Sequence, residues 1–218
     1  MEKFSSINES KENIDGFVDI IKKYNLEPYL KIIITKNNGN YNDYHNIYHI
    51  ITVVKNTYLI AIDEKISDTD IRLLLIAAMF HDFDHSGGKI KDDAENIKSA
   101  IDAFYKYTKE SDINNDFVVN IIKCTQFPYK EDEILTKYQK IIRDADMLQW
   151  VEDNFIQQIL LGLSKEYGGI ISVNSLENQI KFMKNTKFFT NFARQKSKNN
   201  IDSKIRDCEF LIGVLKLS

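Results

Sequence analysis

Apolar residues recur every three to four positions over nearly the whole chain, and that rhythm leaves room for little besides helices. From His45 to Ile62 the apolar positions are Ile47, Ile50, Ile51, Val54, Tyr58 and Ile62, the stripe of one long amphipathic helix. Ser67-Asp68-Thr69-Asp70 is a cap cluster that opens a helix through Ile71, Leu74, Leu75, Ala78 and Met79. Asn13 or Asp15 is placed to cap a first helix through Ile14, Phe17, Val18 and Ile21, and Asp112 one through Phe117, Val118, Ile121 and Ile122. Asn174 begins another, through Leu176, Ile180 and Met183. Further helical faces are expected over 26–34, 93–107, 134–142, 154–163 and 205–217. Residues 168–173 admit a short strand, and 195–202, rich in Lys and Asn, read as a mobile loop. The 218 residues include 8 Gly and 2 Pro, too few turn-formers for a many-stranded β fold. The expectation is a compact all-α fold in a single domain, 1–218.

The formal net charge is -3, without the basic surplus of a general nucleic-acid binder. Cys124 and Cys208 sit in no metal-ligand or redox spacing and read as buried free thiols of a reducing compartment. The first sixteen residues are polar and acidic, without the apolar stretch of a signal peptide. The longest apolar run, Leu73 to Phe80, falls far short of the roughly 20 residues that span a bilayer. These features predict a cytoplasmic protein with no membrane partner.

All four histidines fall in two five-residue windows, His45/His49 and His81/His85. Each pair is spaced i, i+4, which on a helix puts both rings on one face a turn apart. The windows carry companions: Tyr44-His45-Asn46-Ile47-Tyr48-His49 and His81-Asp82-Phe83-Asp84-His85. A lone histidine beside an apolar face is ordinarily a satisfied core residue. Two pairs with an adjacent His-Asp are better explained by a metal site, since imidazoles and carboxylates are ligands for Zn, Mn, Fe and Mg. The second window ends an apolar helix, where clustered charge is costly unless paired or coordinated. Downstream, Asp144 and Asp146 lie two apart, so a helix would not point both the same way. One is expected as a ligand and the other as an outer or solvated group.

The blocks YHNIYH, HDFDH and the Asp of ADM, in that order, resemble the HD-domain metal-dependent phosphohydrolases. More narrowly they are similar to the catalytic domain of cyclic-nucleotide phosphodiesterases, of a small stand-alone bacterial or phage type. The resemblance spans Tyr44 to about Phe182. It implies His49, His81, Asp82 and Asp146 as ligands of a first divalent metal, with Asp82 bridging to a second, mostly water-ligated one. It implies His45 as general acid, His85 beside the second metal, and a purine clamp of Gln179 and Phe182, with Tyr44 also at the substrate. Asn46 or a neighbouring carboxylate would orient His45. The pattern also departs from the family: Ile90 stands where an Asn is usual, a place Asn96 could take after a longer loop, and Thr125-Gln126 replaces Thr-Asp.

The resemblance therefore implies two divalent ions, Zn, Mg, Mn or Fe, and a small-molecule nucleotide substrate. The expected reaction is hydrolysis of a phosphoester of a cyclic mono- or oligonucleotide by a hydroxide held between the ions. Alternatives are a nucleotidase or nucleoside-triphosphate hydrolase of the same superfamily acting on linear nucleotides, and a non-catalytic nucleotide- or metal-binding module. For a phage protein the compartment would be the host's cytoplasm.

Overall fold

Helices account for all regular structure among the described residues of a computed structural model, which are 16–109, 113–130 and 133–217. After helical turns over 16–23 (α1) come α2 (Glu27–Lys36), a 3-10 turn (Asn38–Tyr41), α3 (Ile47–Asp63) and α4 (Asp68–Phe80). Then follow α5 (Asp93–Tyr107), α6 (Asn115–Lys123), α7 (Lys137–Met147) and a 3-10 turn (Leu148–Val151). A π-helix (Ile156–Leu163) runs into the single turn α8 (Ser164–Glu166), and α9 (Val173–Asn185) and α10 (Asn191–Leu215) complete the fold.

The centre is α4. Nine of its thirteen residues are buried, all but Asp68, Thr69, Asp70 and Arg72, so beyond its start it is apolar on nearly every side and needs neighbours all round. It packs against α2, α3, α5, α6 and α7. Ser67 caps it by accepting a hydrogen bond from the Asp70 amide. Each Leu or Ile it hides contributes about 1.5–3 kcal/mol over exposure. A smaller apolar cluster joins Tyr44, Phe155, Ile159, Leu160, Leu176, Met183 and Cys208, tying the approach to α3 to the π-helix, α9 and α10. Both cysteines are free and buried.

Several sequence expectations are corrected. Residues 195–202 are no loop but lie inside the 25-residue α10. Thr190 caps that helix, and Lys196 reaches inward to Glu152 at 2.6 Å and Asn56 at 3.3 Å, so the polar run is held by the neighbouring elements. No strand forms over 168–173; the segment turns at Gly168 and leads to Ser172, which caps α9 through a reciprocal box with Ser175. That cap starts α9 before Asn174. The expected caps Asn13, Asp15 and Asp112 lie outside the described residues; Asn114 caps α6. Among the described residues no helix is long and apolar enough to cross a membrane.

Candidate active site

Both histidine windows sit at helix ends and not along helix faces. Asn46 is the N-cap of α3, its side chain accepting from the Tyr48 and His49 amides and donating to the Asn42 carbonyl. His49 is therefore in the first turn, while His45 lies outside the helix. At the other window α4 stops at Phe80, and His81 to Asp84 form a turn. Asp84 adopts φ +56° and accepts from the Asn38 amide at 2.7 Å, and its own amide donates to Asn37 at 2.8 Å. Asp84 thus pins the turn to the 3-10 segment before the first window.

That arrangement re-pairs the rings across the windows. His49 and His81 face each other with their Nε2 atoms 3.3 Å apart. Asp82 Oδ2 lies 3.0 Å from His49 Nε2 and 3.2 Å from His81 Nε2, and Asp146 Oδ1 lies 3.2 Å from His49 Nε2. Ligand atoms of His49, His81 and Asp146 all fall within 4.8 Å of one another. His81 Nδ1 donates to the Ala78 carbonyl at 2.8 Å, which leaves the Nε2 lone pair aimed into the cluster. Two imidazoles and two carboxylates converging on one point, with no cationic side chain among them, form a donor set that fits a divalent metal.

Electrostatics show what holds the four groups together without an ion. Burial acts to lower the His49 pKa, but hydrogen bonds to Asp146 and Asp82 override it and raise it to about 10. His81 is also raised, burial being outweighed by Asp82. Asp82 is held well below the carboxylate range, His81 and His49 overcoming its own burial. A proton on the histidines does in part what a cation would do.

Asp144 and Asp146 separate cleanly. Asp144 is buried and points away, accepting from the Phe189 amide, the Thr190 amide and the Thr190 hydroxyl, where it anchors the start of α10. Asp146 faces the histidines.

The remaining rings form a second group. His45 stacks on His85 with centroids 3.6 Å apart and planes inclined by 22°. His45 Nδ1 is 2.6 Å from Glu166 Oε2, and Glu166 Oε1 accepts from the Tyr44 and His45 amides. Glu166 stays ionised below its ordinary range because the His45 contacts outweigh its burial. His45, His85 and Glu166 also bring ligand atoms within 4.8 Å of one another. Of the two partners expected for the His45 ring, Asn46 or a neighbouring carboxylate, the Glu166 carboxylate is the one in contact, and the Asn46 side chain caps α3. Burial and the neighbouring His45 push His85 down to about 4, so its ring is neutral. Its Nδ1 accepts from the Gly87 amide, and Asn96, near the place left by the missing family Asn, lies 3.1 Å from its Nε2.

No local sequence signal marks Glu166. It arrives by close packing of the π-helix and α8 against both windows. A Cβ on Gly88, at φ +77°, would stand 2.2 Å from the Glu166 carbonyl oxygen, and one on Gly162 would stand 2.6 Å from the Asp43 carbonyl. Only glycine permits either approach.

These groups open on a cavity of about 330 Å³. His45, Asp82, His85 and Asp146 line one wall, and Phe127, Trp150 and Phe182 another. Exposed Lys91 is at its edge. Tyr44 lines it with a hydroxyl that burial keeps protonated, well above the ordinary range. Phe182 lines the cavity too, its ring centroid 4.4 Å from that of Trp150. Gln179 does not line the cavity, and its buried Oε1 has no hydrogen-bond partner among the described residues. Trp150 and Phe127 are the aromatic residues that line the cavity with Phe182; an apolar helix-end residue such as Trp150 carries no motif.

An HD-domain family model matches residues 46–150, which contain His49, His81, Asp82 and Asp146. Among solved structures, a predicted HD superfamily hydrolase from an uncultured Thermotogales bacterium shares the fold, with a TM-score of 0.54 and 18% identity. That match covers 86% of this chain and 91% of the other. No curated protein matches the chain in sequence.

Proposed function

We propose that the chain is an HD-domain metal-dependent phosphohydrolase, the family whose model matches residues 46–150, and that it hydrolyses a phosphoester bond of a cyclic nucleotide. The observation that carries this reading is the His45–Glu166 pair standing beside the four-group cluster at the wall of a cavity whose other side is aromatic. His49, His81, Asp82 and Asp146 would hold the first of two divalent ions, with Asp82 shared by the second. Bound there, the ions supply charge neutralisation at the phosphate and an activated water.

The chain's own residues do the rest. Glu166 holds a proton on His45 Nδ1 and stabilises the imidazolium, so Nε2 carries the proton given to the departing alkoxide. His85 stacks beneath that ring as a neutral plate and limits its tilt. Phe182 and Trp150 offer flat faces to a base, and Lys91 meets phosphate charge at the edge. A soluble cytoplasmic enzyme acting on a small molecule follows from the same reading.

The test is a pair of variants assayed on cyclic and linear nucleotides with metal analysis. His45→Ala should keep metal and lose about 10²–10⁴-fold in turnover. Asp82→Ala should lose both. Unchanged turnover in His45→Ala removes the general acid. Turnover of linear nucleotides with none of cyclic ones replaces the phosphodiesterase by a nucleotidase.

A further inference from the structure

Few hydrogen-bond donors inside the cavity are still free to meet a phosphate. Among the described residues, the side chains with a hydroxyl that line it are Tyr44, Thr125, Tyr129 and Tyr167. Thr125 spends its proton on the Ile122 carbonyl at 2.8 Å, and Tyr167, 61% exposed, stands at the outside. Lys91 is exposed at the edge. Tyr44 belongs to the first histidine window. Tyr129 belongs to no motif.

The Tyr129 ring is held before any ligand arrives. The Arg143 guanidinium lies over it, 4.2 Å from the ring centroid, and Phe127 meets it edge-on at 5.4 Å between centroids. Arg143 is itself buried and fixed: its Nε donates to the Cys124 carbonyl at 2.6 Å, and its guanidinium pairs with Glu133. Arg143 and Asp146 are three apart on α7 and so are neighbours on the helix surface. Burial, and next to it the Asp146 carboxylate, keep the Tyr129 hydroxyl protonated, well above the ordinary range, and Asp82 acts in the same sense. The hydroxyl thus stands beside the two acids of the four-group cluster. It has no hydrogen-bond partner among the described residues, whereas a phenol in such surroundings ordinarily finds one.

We propose that Tyr129 is a catalytic residue whose hydroxyl donates a hydrogen bond to a non-bridging oxygen of the scissile phosphate. A fixed neutral donor stabilises charge that builds on that oxygen during attack, and it costs no reorganisation at that moment. Arg143 supplies the rigidity without touching the substrate. The proposal rests on the phosphodiesterase reading above and adds to it a donor that the family resemblance does not supply.

The test is Tyr129→Phe, which removes one oxygen and keeps the ring on Arg143. Metal content and melting temperature should match those of the wild type. With 3′,5′-cyclic AMP and GMP, kcat should fall about 10²–10³-fold, the cost of one donor to a developing oxyanion, with KM little changed. The Rp and Sp phosphorothioates of the same nucleotides give a readout that a structural role would not move, because sulfur accepts hydrogen bonds poorly. The ratio of kcat for the two diastereomers should change by about ten-fold between wild type and variant, the scale of a hydrogen bond to a charged group. An unchanged kcat, an unchanged ratio, or a loss that comes with lowered metal content or melting temperature overturns the role of Tyr129 and leaves the phosphodiesterase reading in place. Absence of wild-type turnover on every diester overturns that reading instead. Equilibrium dialysis of inorganic phosphate against the metal-loaded proteins then decides Tyr129 alone: about ten-fold weaker binding to the variant upholds the contact, and equal binding overturns it.

Discussion

At the scale of single residues, one carboxylate holds the His45 ring, and under the proposed function that contact makes His45 the acid. Glu166 takes the imidazole at Nδ1 and two backbone amides at its other oxygen, so its position and charge are both fixed by the fold. Glu166→Gln keeps the size and an acceptor but removes the charge. Turnover should fall about 10–100-fold, as for other groups that orient a functional imidazole. The loss should fall on kcat, with KM and metal content kept; a fall in metal content or melting temperature in its place would make Glu166 merely structural. The two neighbouring acids teach a similar lesson. Asp144 and Asp146 look alike in sequence, yet one anchors α10 and the other faces the histidines. Periodicity could say that they diverge, not which way.

At the scale of elements, the site depends on helix ends brought against one another. The π-helix and α8 must press close to both windows to deliver Glu166, and glycine makes the room. Gly88→Ala would put a methyl group 2.2 Å from the Glu166 carbonyl at a positive φ. The strain is about 1–3 kcal/mol, so a lowered melting temperature is expected, with turnover lost and metal content kept. Gly213→Ala, which meets nothing within 4 Å in α10, serves as the control and should be neutral or slightly stabilising. Equal melting of the two variants would mean that α8 is not held where described. Most helices were legible because amphipathic rhythm and caps are local: α5 runs over Asp93–Tyr107, as its periodicity indicates. The interior of α10 was not, because Lys and Asn at 196–200 carry loop-like composition, whereas Asn56 of α3 and Glu152 just after the 3-10 turn hold Lys196 inward from a distance in sequence.

At the scale of the whole molecule, protons and metal compete for one cluster. Folded, metal-free His49 binds its proton up to about pH 10, against about 6.5 for an unconstrained histidine. Its stabilisation is therefore complete below about 6.5 and is lost as pH rises toward 10. The metal-free protein should show a melting temperature that declines over that window. Metal loading near pH 7.5 should release protons, because ligation needs the neutral ring. Titration calorimetry in two buffers of different ionisation enthalpy checks this, and a binding heat independent of buffer would refute it. By itself the sequence determined the helical class, the confinement of the histidines to two windows and the set of acids available to them. Those features rest on spacing within a few residues, where covalent connectivity dictates geometry. Tertiary structure alone decided which rings meet, that His49 joins His81 while His45 joins His85. It also decided that Glu166, some 120 residues from His45, completes the second pair, and that Trp150 packs on Phe182. Such contacts follow from which helix ends the buried α4 brings together, and packing of that kind leaves no local trace in the order of residues.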